Sequence, residues 1–177
     1  MVRPPTSKPP AADDDRLHLR AVDTDDLAIV SAHVQDAIVR IADMAFQPKQ
    51  RRFAFIATRF DWASLADGVR RRRIAGVHFD HVRQVQRQGF EQSQKDAVLN
   101  LLGVSFDPAD ELGGVVTLNF SAGAAIRLEV ECIEAQLTDL GPAWRTRNQP
   151  AHDLAANESS EGAEETSGPS PNQDEKG

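Results

Sequence analysis

The chain has one cysteine, no tyrosine and no long apolar run, and each scarcity closes off a class of protein. A lone Cys132 excludes an intrachain disulfide and a cysteine-based zinc site. No window approaches the roughly 20 apolar residues of a membrane span. The N-terminus carries Pro and Asp where a secretory signal needs a continuous apolar stretch, so a cytoplasmic location without membrane contact is expected. Phosphate-loop, dinucleotide-binding and Gly-x-Ser-x-Gly patterns are absent, and Asp107 to Glu111 lacks the spacing and glycine of a calcium loop. Without tyrosine, and with no aromatic residue among its clustered arginines, the chain offers no base-stacking platform, and nucleic acid is not an expected partner.

What is present is enough for one folded domain. Apolar residues make up 40% of the 177 positions, and they concentrate between Arg16 and Asn148. Residues 1–15, rich in Pro and Asp, and residues 149–177, rich in Glu, Ser, Pro and Gly, cannot bury enough apolar surface to offset the entropy of ordering and are expected to be disordered tails. The net charge of −7 belongs to these ends: residues 149–177 hold seven acids and one base, whereas 16–148 carries 17 charges of each sign. The acidity therefore speaks for solubility, not for a cationic partner of the domain.

Periodicity outlines the domain. Leu17, Leu19 and Ala21 alternate as a short strand, and Asp23-Thr24-Asp25-Asp26 supplies a helix start before Leu27, Val30, Val34 and Ile38 recur at helical spacing. The period then falls to two: Val39, Ile41, Met44 and Phe46 precede a turn at Gln47-Pro48-Lys49-Gln50, and Phe53, Phe55 and Ala57 resume the alternation. A polar, Arg-rich connection is expected from Asp61 to Arg73, followed by Ile74, Val77, Phe79, Val82 and Val85 with a phase slip near Asp80. Val98 to Phe106 reads as a buried strand. Val116, Leu118 and Phe120 pair with Ile126, Leu128 and Val130 across Ser121-Ala122-Gly123 as a hairpin. Val130, Ile133, Leu137 and Leu140 then fall on one helical stripe ending at Gly141-Pro142.

The expected fold is α+β: a mainly antiparallel, curved sheet or partly open barrel, with an N-terminal helix and a closing C-terminal helix. That order resembles the pleckstrin-homology-like superfold, an analogy that implies no function. The wording of the chain carries a closer likeness, in Ser31-Ala32-His33-Val34-Gln35-Asp36-Ala37, His78-Phe79-Asp80, Arg127 to Glu134 and Leu137 to Pro142. It resembles a family of short bacterial proteins catalogued only as a domain of unknown function, number twenty-nine forty-eight. The resemblance implies a bacterial cytoplasmic protein of unassigned activity and supplies no catalytic residues.

Three clusters bear on chemistry. Arg51, Arg52, Arg70, Arg71, Arg72 and Arg73 are candidates for an anion site, because guanidinium groups match phosphate and carboxylate oxygens with paired hydrogen bonds. The plainer reading is a solvated face balanced by the acids of residues 96–148. His78, Asp80 and His81 are the tightest group of metal-ligand types, but no distant partner motif completes a site, and no metal or other cofactor is expected. Glu129, Glu131 and Glu134 read as helix-start and surface acids, and their charge should raise the pKa of Cys132 and blunt it as a nucleophile. With no convergent reactive group in a well-patterned core, the sequence points to a non-catalytic binding or adaptor module with a protein partner. The alternative is an enzyme or sensor for a small anionic ligand, a phosphorylated or carboxylated metabolite held by the arginines.

Overall fold

The computed structural model describes residues 16–65, 68–109 and 111–147; the tails expected at 1–15 and 149–177 lie outside the described residues. Strand β1 (His18–Ala21) leads into helix α1 (Thr24–Val34), whose start is set by Asp23: its carboxylate accepts from the Asp26 N–H at 2.8 Å, and Asp25 and Asp26 occupy the positive first turn. Strands β2 (Ala37–Gln47) and β3 (Arg52–Phe60) follow as a hairpin, with Pro48 in its turn. A short helix α2 (Trp62–Leu65) precedes β4 (Arg71–Phe79) and β5 (Val82–Gln88). Then come β6 (Val98–Pro108), β7 (Gly114–Phe120), β8 (Ala125–Val130), β9 (Ala135–Asp139) and the two-residue β10 (Trp144–Arg145).

All pairings are antiparallel, in the order β1-β9-β4-β3-β2-β6-β7-β8-β5, with β10 added to β4. The path ends, β1 and β5, do not pair with each other, so the sheet is curved but not closed into a barrel. Its curvature has local causes. Strand β2 slips register between Val39 and Met44, and its first half pairs with both β3 and β6, turning the corner between the two halves of the sheet. On the other side β4 passes into β5 through Asp80 and His81, the latter at φ +58°, while β8 passes into β9 through Glu131 to Glu134. The bends run side by side, with Asp80 N–H donating to the Glu134 carbonyl at 2.9 Å and Glu131 N–H to that of His81 at 3.1 Å.

The inner faces of both halves supply one core: Phe53, Phe55, Val77 and Phe79 from one, Val116, Leu118, Ile126 and Leu128 from the other. Helix α1 covers it with Leu27, Val30 and Val34. The helix is fastened to β6 by Ser31 Oγ, which accepts from the Val104 N–H at 2.8 Å. Each such core side chain, removed from water, contributes about 1.5–3 kcal/mol.

Three expectations require correction. The closing C-terminal helix is strand β9, because Ala135, Leu137 and Asp139 are buried while Gln136 and Thr138 alternate outward; the apparent helical stripe was a coincidence of Val130, Ile133, Leu137 and Leu140. The Asp61–Arg73 connection ends early, since Arg71 to Arg73 already belong to β4. The stretch from Val98 to Phe106 is not wholly buried: Leu101 is sealed, but Val98 is 60% and Leu102 is 48% exposed on the opposite face.

Candidate functional site

The six candidate arginines do not share one surface. Phe53 pairs with Phe79 and Phe60 with Arg72, so Arg52 and Arg71 lie near opposite ends of the β3–β4 ladder, roughly 30 Å apart at about 3.4 Å per residue. At the bend end, Arg51 bonds Glu131 at 2.7 Å and Arg52 makes a two-pronged contact with Asp80 at 2.6 and 3.0 Å. At the far end, Arg72 stacks 6.0 Å above the Phe60 ring and reaches the Thr58 carbonyl. Arg73 is buried, with its Nε 3.1 Å from Asp61. Arg71 stands opposite Arg145 in the β4–β10 pairing, and Arg70 lines an open groove with Arg145 and Arg147.

The bend end gathers the histidines and acids singled out in the sequence. Glu134 is bonded by His81 at 2.9 Å and by Arg20 at 2.7 Å, which together hold its carboxyl below the ordinary glutamate range. Burial pushes Asp80 up, but the hydrogen bonds and charge of Arg52, with help from His78 and His81, outweigh it and leave the acid below its usual value. Arg83 and then Arg51 do the same for Glu131. His78 lies 3.6 Å from Asp80, and its burial together with the nearby Arg52 lowers its pKa. Cys132 is raised by burial and by Glu134 and Glu131, which suppresses the thiolate. Among the described residues no group of three His, Cys, Asp or Glu side chains is arranged to hold a metal ion. These contacts tie the two bends together and leave the acids ionised and bound by cations, a poor state for a proton donor.

Sequence reasoning missed a second ionic cluster. Arg59 and Arg73 are cross-strand partners, and both point into the core. Asp139, at the end of β9, answers them: it accepts from Arg59 Nε and Nη2 at 2.8 and 2.7 Å and lies 3.9 Å from Arg73. It also accepts from the Leu17 backbone N–H, joining β1 to the cluster. Burial pushes Asp139 up, but Arg59, Leu17 and Arg73 more than compensate, so it stays below the usual carboxylate range. His33 on α1 is lowered by burial and then by Arg59. The two-residue alternation of Ala135, Leu137 and Asp139 carried the signal, but the expected helical stripe of Val130, Ile133, Leu137 and Leu140 did not include Asp139.

The surface that departs most from expectation is the outer face of β2, β3, β4 and β9. A sheet with one face on the core normally turns polar residues outward. Here Ile56 opposes Gly76, Thr58 opposes Ile74, and Ala45 opposes Ala54. Leu140 follows, its side chain 3.5 Å from where a Cβ on Gly76 would stand, an ordinary van der Waals contact. Ile38, Ile56, Ile74 and Leu140 remain 37–54% exposed. Asp43, Ala45, Ala54, Ile56, Gly76 and Leu140 help to line an open depression of about 270 Å³, with His78 and Thr138 also bordering it.

The family model described as "Protein of unknown function (DUF2948)" matches residues 17–152. The chain belongs to that family. No curated protein and no solved structure matches it. The DUF2948 match takes in every described strand, the bend cluster, the buried Arg59–Asp139 pair and the whole outer face, and stops before the acidic stretch that begins at Asp153. Among the described residues no helix is long and apolar enough to cross a membrane.

Proposed function

We propose that this DUF2948 chain is a non-catalytic, cytoplasmic binding module that docks a protein partner on the outer face of β2, β3, β4 and β9. The partner in this reading presents an aliphatic surface flanked by acidic groups. The observation that carries it is the unbroken apolar run in the two central strands, Phe53-Ala54-Phe55-Ile56-Ala57 and Ile74-Ala75-Gly76-Val77. Central strands apolar on both faces are the mark of a sheet covered on both faces. The inner face has its cover in the core; on the outer face, among the described residues, Leu140 lies beside Gly76 while Ile38, Ile56 and Ile74 stay 37–42% exposed.

The rim supports the choice of partner. His18, Arg20, Arg72 and His78 border the face, while its acids Asp43 and Glu134 are already bonded to Arg40 and Arg20. With those two acids matched by Arg40 and Arg20, and His78 kept uncharged by its lowered pKa, Arg72 is the cation left over at the rim, which favours acidic flanks on the incoming surface. The four half-exposed aliphatic side chains amount to roughly a few hundred Å² of apolar surface, against about 800 Å² per partner in a stable dimer, which favours a reversible contact over a permanent second copy. The cation-bound state of the bend-end acids and the raised pKa of the Cys132 thiol argue against a catalytic role for them.

The test places a photo-crosslinking residue at position 56 of the full chain, alone and combined with Ile74→Glu. Both proteins should melt cooperatively, because neither position belongs to the buried core. A cross-linked protein whose attached peptide is aliphatic with acidic neighbours, and which is lost with Ile74→Glu, supports the reading. Cross-links only to another copy of the chain, or capture indifferent to Ile74→Glu, overturn it.

A further inference from the structure

We infer that the other half of the sheet carries a small-molecule site, independent of the docking face: a polar depression on the outer face of β5, β8 and β7 that takes a compact α-amino acid zwitterion. Its walls follow from register. Val116, Leu118, Ile126 and Leu128 belong to the core, so Val115, Thr117, Arg127 and Glu129, which alternate with them, face outward. Strand β5 adds Gln84 opposite Glu129 and Gln86 opposite Arg127, just after its register shift at Val82. Gln84, Gln86, Val115, Arg127 and Glu129 line a depression of about 110 Å³. That is roughly the share of three or four water molecules in the liquid, so the ligand must be compact.

The charges at this depression decide its chemistry. Arg20, Arg40, Arg51, Arg52 and Arg59 each meet a carboxylate, whereas Arg127 forms no ion pair or hydrogen bond among the described residues, although Glu129 lines the same depression. Glu129 has Arg83 at 3.9 Å, beyond hydrogen-bond reach, and both of those side chains are half exposed. A guanidinium and a carboxylate therefore stand two residues apart on β8, roughly 7 Å along the strand, each with hydrogen-bonding capacity to spare. Thr117 adds a third unmet group. It is the cross-strand partner of Arg127 and 8% exposed, and its Oγ is buried without a hydrogen-bond partner. A guanidinium presents paired N–H donors that fit a carboxylate, and a carboxylate accepts from an ammonium. A plain anion at this place is repelled by Glu129 and a plain cation by Arg127, whereas one ligand bearing both charges satisfies the two side chains together. The amides of Gln84 and Gln86 can donate to its acid end or accept from its amine.

The experiment titrates the full chain with glycine at low salt and follows the side-chain N–H signals of Arg127, Gln84 and Gln86. Saturable shifts are expected at all three. Glycinamide, which lacks the carboxylate, and N-acetylglycine, which lacks the ammonium, should each bind roughly tenfold more weakly or worse. Arg127→Gln and Glu129→Gln should each weaken glycine binding by roughly the same factor. Arg87→Gln, at a position opposite Ile126 on the other side of β5, should leave it unchanged. Both site positions are exposed, so melting curves like that of the unaltered chain are expected and exclude misfolding as the cause. Shifts that do not saturate, glycinamide or N-acetylglycine binding as tightly as glycine, or glycine binding that survives Arg127→Gln, overturn the site.

Discussion

Replacing Asp139 by asparagine keeps the shape of the side chain and removes its charge. The Arg59 guanidinium, 1% exposed, then faces an amide where it had a two-pronged carboxylate, whereas Arg73 keeps Asp61 at 3.1 Å. Breaking a buried pair from one side costs about 3–5 kcal/mol, because a desolvated charge is left without its partner. For a domain of this size that corresponds to a fall in melting temperature of roughly 10–15 °C. Urea and thermal unfolding of Asp139→Asn measure it directly. Removing both partners, as in Arg59→Met with Asp139→Leu, should cost less than the sum of the two single changes, since neither charge is then orphaned. The same carboxylate gives a pH signature. Its pKa is lower folded than unfolded, so its contribution is present above about pH 4, the unfolded aspartate value, and is lost as the pH falls towards the folded value. A stability of Asp139→Asn within about 0.5 kcal/mol of the unaltered chain at pH 7 would refute the assignment of this pair as a buried, mutually dependent unit.

Two further outcomes follow from local geometry. His33 and His78 both have folded pKa values lowered, by burial first, so the unfolded chain takes up more protons just below about pH 6.5 and stability should rise as the pH climbs towards that value. The urea midpoint measured at pH 5.5 and 7.0 should therefore change less in His33→Gln/His78→Gln, and an undiminished slope counts against the shifts. Gly114→Ala should destabilise by about 1–3 kcal/mol, because a Cβ there would collide with the Asp107 carbonyl oxygen and the Phe106 ring, whereas Gly141→Ala, with open space around it, should stay within about 0.5 kcal/mol. Equal melting temperatures for the two glycine variants would contradict the packing around β7.

The legible parts of the fold were those decided by neighbours in sequence. Asp23 caps α1 through a contact three residues away, and the β2–β3 and β7–β8 hairpins close over turns whose residues name them. The segment at residues 130–140 misled because its helical and alternating patterns overlap, and the choice between them is made by β4 and β1, which pair with β9 from far along the chain. Arginines posed a similar difficulty. In sequence, Arg51, Arg52 and Arg70 to Arg73 look like one basic cluster, but a β-hairpin ladder separates them end to end, and carboxylates remote in sequence, Asp139 and Glu131, bond Arg59 and Arg51. The outer face was readable in principle: Phe53 to Ala57 and Ile74 to Val77 are apolar at consecutive positions, which a one-sided strand does not require. Attention to the inward alternation alone hid it.

The central claim is that the apolar outer face receives a protein partner, and cross-linking from position 56 in the full chain tests it most directly. The account predicts attachment to another protein through an aliphatic, acid-flanked peptide, abolished by Ile74→Glu in a chain that still melts cooperatively. Attachment that persists in the presence of Ile74→Glu, or that joins only copies of this chain, would contradict it.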